Sequence, residues 1–266
     1  MGEIKMNPVK VRNVHIGRGI PKICAPIVGV TKEEILEAAE KIREARPDIV
    51  EWRVDWYEDV FDFAKVEKTA EELRNILGEM PLLFTFRTAN EGGEKSIDID
   101  KYVELNKMAA KSGYVDLVDA ELFTGDAAVK EIIDTAHVCN VKVVVSNHDF
   151  HRTPKKEELL KRLCKMQEIG ADIPKIAVMP LNKQDVMTLL NATEEMNRVH
   201  ARGTIITMSM AGMGVISRIS GEIFGSAVTF GSVGKASAPG QVGIEELKNV
   251  LELLHNGLLI GLFITI

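Results

Sequence analysis

Asp48-Ile-Val-Glu-Trp-Arg-Val-Asp55 alternates charge with apolar bulk, residue by residue. On a strand, Glu51, Arg53 and Asp55 share one face, while Val50, Trp52, Val54 and the following Trp56 share the other. Two tryptophans demand burial, so the second face packs against other elements. The charged face then has two destinations. It lies in solvent along an exposed sheet edge, or it points into a closed barrel where its charges must pair.

The surrounding chain favours the barrel. Strand-length apolar runs alternate with amphipathic helical stretches on both sides. Lys22–Gly29 leads into Lys32–Arg46, Asp48–Asp55 into Ala64–Leu77, and Pro81–Thr88 into Ile99–Lys111. Tyr114–Leu122 leads into Ala127–Cys139, Val141–Phe150 into Lys155–Ile169, and Ile173–Pro180 into Lys183–Val199. Gly203–Met210 with Val215–Ile223, then Ser226–Val233 with Gly243–His255, complete the series. Strand–helix alternation implies a parallel sheet, because each crossover returns the chain to the same end. Eight such units predict an α/β protein built as a single (β/α)8 TIM barrel. Gly29-Val30-Thr31 enters its helix without the glycine fingerprint of a dinucleotide-binding open sheet. No linker divides the chain, so residues 1–256 read as one domain, with a short hairpin over Val9–Ile16 closing one end. Residues 257–266 form an apolar tail that the barrel does not require, and at ten residues it is too short to span a bilayer.

Composition narrows the partners. The 266 residues are 45% hydrophobic and 27% charged with a net charge of -6, and no basic stripe appears, which argues against nucleic acid. Cys24, Cys139 and Cys164 are far apart and form no CxxC, as expected of a chain in a reducing cytosol. The first residues, MGEIKMNPVKVRNVHIG, lack the apolar core of a signal peptide. The predicted location is cytoplasmic, away from membranes.

Strand parity then exposes candidate chemistry, since the C-terminal strand ends of a barrel carry the site. Arg87 shares a face with Leu83 and Thr85, Asp119 with Glu121, and Ser146 with His148. His148 closes a strand of valines within the polar run Ser-Asn-His-Asp; it is either a hydrogen-bonded core residue or an acid/base group, and its position favours the second. Lys175 is the single charge in Ile173–Pro180. Facing inward, it is either a nucleophile poised for a Schiff base, its amine kept neutral by desolvation and nearby cations, or a structural lysine paired with Glu51 or Asp119. Ala211-Gly-Met-Gly214 precedes Ser217 and Arg218, whose guanidinium suits a carboxylate or phosphate. The small-residue stretch Gly231–Gln241 is long enough for a lid, and equally for a plain surface loop. No HExxH and no histidine pair at ligand spacing supports a metal site.

Taken together, Glu51–Asp55, Phe84–Arg87 with Glu91–Gly93, Ser146–Phe150, Asp172–Pro180, Thr207–Met210, Val215–Arg218 and Ser237–Gln241 resemble the type I 3-dehydroquinate dehydratases. The resemblance runs in order from about Val9 to His255. It implies a Schiff-base enzyme of the shikimate pathway that needs neither cofactor nor metal. Lys175 would form the imine, His148 would be the general base and then acid, and Glu91 would orient the histidine. Glu51, Arg53 and Arg87 would hold ring hydroxyls of 3-dehydroquinate; Arg218, Ser237 and Gln241 would grip its carboxylate; Met208 and Phe230 would be apolar wall. A homodimer is implied as well. Ala25-Pro26 and the glycine-rich turn at 211–214 depart from the usual pattern, the latter implying a looser approach to Arg218. Two other readings stand beside this one: a Schiff-base aldolase acting on a phosphorylated sugar, and a barrel that binds a ligand without catalysis.

Overall fold

The computed structural model describes residues 7–233 and 240–263. A hairpin of β1 (Val9–Val11) and β2 (Val14–Ile16) precedes eight parallel strands. These are β3 (Lys22–Ile27), β4 (Ile49–Arg53), β5 (Leu82–Thr85), β6 (Leu117–Glu121), β7 (Lys142–Asp149), β8 (Ile173–Val178), β9 (Ile206–Ser209) and β10 (Val228–Ser232). A two-residue β11 (Val242–Gly243) adds to β10. The helices are α1 (Lys32–Ala45), α2 (Phe63–Leu77), α3 (Ile99–Lys111), α4 (Asp126–Val138), α5 (Lys156–Glu168), α6 (Lys183–Glu195), α7 (Val215–Ile219), α8 (Gly221–Phe224) and α9 (Ile244–Phe263). Local chemistry starts them where expected. Thr31 and Glu34 form a reciprocal capping box at α1, and Asp62 and Asn182 cap α2 and α6 through their side chains.

Strands pair in the order β10-β3-β4-β5-β6-β7-β8-β9, and a single bridge, Ile205 to Ser226, joins the two ends. The result is the eight-stranded barrel that the alternation predicts. Val50, Trp52 and Val54 face outward into the layer between strands and helices, where Trp52 meets Phe84 edge to face at 5.6 Å. Inside, Cys24, Ile49, Leu83, Leu117, Val144, Ile173, Ile206 and Val228 form an apolar floor. Val11 and Ile16 of the hairpin pack onto that floor, so the hairpin closes the N-terminal mouth and leaves the C-terminal mouth for chemistry.

Several boundaries differ from the sequence reading. The third barrel strand stops at Thr85 rather than Thr88, because buried carboxylates capture the next backbone amides. Arg87 N–H donates to Asp55 at 3.3 Å and Thr88 N–H to Glu121 at 2.8 Å. Residues 215–223 form two short helices instead of one. Gly221 lies at the break, where an added Cβ would fall 2.5 Å from the Ser226 carbonyl oxygen. The helix expected to end at His255 continues past Gly257 to Phe263, taking up most of the tail. Among the described residues, no helix is long and apolar enough to cross a membrane.

Candidate active site

A pocket enclosing about 470 Å³ of atom-free space opens at the C-terminal mouth. It is lined by Glu51, Arg53, Arg87, Glu91, His148, Lys175, Met208, Arg218, Phe230 and Gln241. Ten of the eleven site residues named from sequence therefore converge. The eleventh, Ser237, lies outside the described residues. Gly92, Phe150, Ala177 and Met210 also line the pocket and were missed. Parity could have found three of them, since Phe150, Ala177 and Met210 follow His148, Lys175 and Met208 by two residues on the same face.

Lys175 is 4% exposed. Its Nζ stands 3.8 Å from Glu51 Oε1 and 3.9 Å from Asp119 Oδ2, too far for hydrogen bonds, and 4.5 Å from the Phe230 ring centroid. Its nearest charges are thus Glu51 and Asp119, the carboxylates named in one of the two sequence readings, rather than the cations of the other. The cations around it are held by those same acids and their neighbours. Arg87 donates to Asp119 at 2.9 Å, to Glu121 at 2.8 Å and to Ser146 at 3.0 Å. Burial works to lower its guanidinium, but this acid cage outweighs burial and holds it well above the ordinary arginine range. Arg53 pairs with Asp55 through two 2.8 Å bonds. Asp55 is fully buried in the turn after β4, where it also accepts the backbone N–H of Glu94. The charges that alternate along the opening stretch are therefore paired inside the barrel, as burial requires.

His148 and Glu91 form the second group. Glu91 Oε2 accepts the His148 backbone N–H at 2.8 Å and faces ring Nδ1 at 3.0 Å. Burial, reinforced by Arg87, Lys175 and Arg53, pushes His148 well below the usual histidine value, so the ring is neutral near pH 7. Burial and the neighbouring Glu121 raise Glu91 to about 7, against the pull of Arg87. The Glu91-Gly-Gly93 turn is shaped for this contact. Gly92 has φ +82°, and a Cβ there would meet the Phe150 ring at 2.4 Å; one on Gly93 would lie 1.8 Å from the Arg87 carbonyl oxygen.

Arg218, 2% exposed, projects from α7 with its guanidinium beside Met208, and burial lowers it to about 10. The glycine-rich turn before it is tight rather than loose, since a Cβ on Gly214 would strike the Ser209 carbonyl oxygen at 2.2 Å. Among the described residues, no group of three or more His, Cys, Asp or Glu is placed to hold a metal ion.

Comparison with known proteins bears on the same residues. The family model for type I 3-dehydroquinase matches residues 23–257, the whole barrel. This chain belongs to that family. A 3-dehydroquinate dehydratase of Clostridium botulinum is 58% identical over 94% of this chain and 98% of its own length. One from Listeria monocytogenes is 57% identical over 94% of this chain and 99% of its own. The crystal structure of the Clostridium difficile type I enzyme, carrying covalently modified comenic acid, aligns with TM-score 0.93 and 54% identity over 95% of this chain and 99% of that one. The Geobacillus kaustophilus enzyme aligns with TM-score 0.91 at 42% identity, over 94% and 96%. As a type I 3-dehydroquinase the chain is a 3-dehydroquinate dehydratase, a hydro-lyase of the shikimate pathway, and the aldolase reading is not favoured.

Proposed function

We propose that the chain converts 3-dehydroquinate to 3-dehydroshikimate and water through an imine on Lys175. The lysine gives up one ammonium proton, its nitrogen attacks the ketone carbon, that proton returns to the departing oxygen, water leaves, and a protonated imine results. His148 then takes a proton from the carbon beside the imine, and that carbon–hydrogen electron pair moves into the imine. The pair returns to expel the β-hydroxyl, to which His148 gives back its proton. Hydrolysis frees the conjugated product and regenerates the lysine. The imine is the electron sink, so the route calls on no metal or cofactor.

The observation that carries this reading is the placement of Lys175 Nζ. It is buried at the pocket without a hydrogen bond among the described residues, with a neutral histidine on the next strand. Glu91 would orient His148 and stabilise its protonated form. Glu51, Arg53 and Arg87 would hold ring hydroxyls, Met208 and Phe230 would wall the ring, and Arg218 would bind the carboxylate with Gln241 and Ser237. Borohydride added with 3-dehydroquinate should fix an adduct on Lys175, seen by mass spectrometry. Unmodified Lys175 in turning-over enzyme would sink the mechanism. His148→Ala should still trap substrate yet barely turn over, and EDTA should leave the absorbance assay for product unchanged. We also propose a cytoplasmic homodimer. Exposed Leu253 and Ile260, seven residues apart on one side of α9, offer it an apolar stripe, and sedimentation would test it.

A further inference from the structure

The His148–Glu91 contact depends on side chains that lie outside the pocket. Glu91 belongs to a single 3-10 turn, Ala89–Glu91, on the connection after β5, an element with few hydrogen bonds of its own. While Oε2 serves His148, Oε1 accepts Nδ2 of Asn147 at 3.0 Å. Asn147 is 2% exposed, and alternation along β7 turns it away from the face shared by Ser146 and His148. Its amide oxygen in turn accepts Nη1 of Arg162, on α5, at 2.8 Å. Arg162 Nε holds Glu158 at 2.8 Å, and its guanidinium lies 5.2 Å from the Phe123 ring centroid. Phe123 is 63% exposed, so this contact lies at the surface end of the chain of side chains.

The chain of contacts has a definite polarity. A primary amide can turn either its oxygen or its NH2 toward Glu91, and only the NH2 attracts a carboxylate. A guanidinium has donors alone, so Arg162 claims the amide oxygen and leaves the NH2 facing Glu91. We propose that Asn147 and Arg162 are positioning residues for the dehydration, fixing Glu91 in the orientation that serves His148, with Phe123 clamping Arg162. This inference rests on the roles proposed above for His148 and Glu91. The other charged groups facing the pair are Arg87, whose Nη1 is 3.7 Å from Glu91 Oε2, Glu121, Lys175 and Arg53. All belong to the barrel strands or their C-terminal ends, and none fixes the amide.

The test measures kcat, KM, the pH profile of kcat, borohydride trapping and thermal unfolding for wild type, Arg162→Met, Phe123→Ala and Asn147→Asp. Arg162→Met should lower kcat about tenfold with KM within about twofold, the scale on which outer-layer partners act. Its acid-side midpoint should move to higher pH, because Glu91 loses a donor that favours the carboxylate. Asn147→Asp, which sets a second carboxyl against Glu91, should move it further, and Phe123→Ala less. Trapping on Lys175 should persist in all three, since the acid/base pair acts after the imine forms. Wild-type kcat and midpoint in Arg162→Met would overturn the inference. So would a loss of kcat that follows unfolding while the midpoint stays put. If wild type neither dehydrates nor traps substrate, the function proposed above fails and takes this inference with it.

Discussion

Glu91 carries an electrostatic cost that the folded chain must bear. Its folded value of about 7 lies above the ordinary 4.5, because burial and Glu121 oppose the charge. An unfolded chain would release this proton at lower pH, so over roughly pH 4.5 to 7 the folded state binds more protons and stability falls as pH rises. His148 works in the opposite sense, since its lowered folded value means stability falls as pH drops below the usual histidine range. Glu91→Gln removes the first effect. Thermal unfolding should find this variant more stable than wild type at pH 8, on the order of 2 kcal/mol, with the gain vanishing near pH 4.5. The same change should cost at least about tenfold in kcat, because a neutral amide cannot stabilise the protonated histidine. An equal gain at both pH values would refute the account. The identity of these groups was legible in the sequence, from Lys175 alone in an apolar strand and His148 at a strand end. Their electrostatic settings were not. Whether Lys175 faces acids or cations depends on distances across the barrel, which parity does not supply.

At the scale of the element, alternation carried most of the information and also set its limit. Glu51 and Arg53 on one face and Trp52 on the other follow directly from a two-residue period. Asn147 falls on the outward face of β7, where parity predicts packing alone, and its partner Arg162 lies on a separate element, α5. Nothing in either local pattern links them. Turns were similarly opaque, because a glycine pair reads as punctuation until its neighbours are known. Gly93→Ala would place a methyl group 1.8 Å from the Arg87 carbonyl oxygen, so the loop carrying Glu91 must move. Denaturant unfolding should show a loss of about 3 kcal/mol, and kcat should fall by more than KM rises. The turn after β9 makes the converse case. Ala211 adopts φ 56° and ψ -178°, a region that only glycine enters without strain. Ala211→Gly should raise stability by about 1 kcal/mol, the strain relieved exceeding the added freedom of the unfolded chain. A lower melting temperature in that variant would show that the turn is not strained.

For the whole molecule, closure of the barrel decides between the two destinations open to the charged face of the opening stretch, since a closed sheet leaves no edge for it. Yet closure is uneven. Seven of the eight junctions are paired ladders, while β9 and β10 share only the bridge from Ile205 to Ser226, with Ala227 N–H donating to the Ile205 carbonyl at 2.9 Å. A side chain completes the seam. Ser226 Oγ accepts the Thr207 N–H at 2.9 Å and donates to the Thr207 carbonyl at 3.0 Å, standing in for the missing strand partner. No sequence pattern distinguishes this serine from any other at a strand entrance, so the seam was invisible until the ends met. Ser226 is 4% exposed, and water cannot readily replace its hydroxyl. Ser226→Ala should therefore leave both Thr207 backbone groups buried without that partner, costing about 2 kcal/mol in urea unfolding with an unchanged slope. Amide exchange should quicken first at Thr207 and along β9, while β6 and β7, paired on both sides, keep their protection. Uniform loss of protection around the ring would mean that the barrel opens as one unit and that this seam is no weaker than the rest.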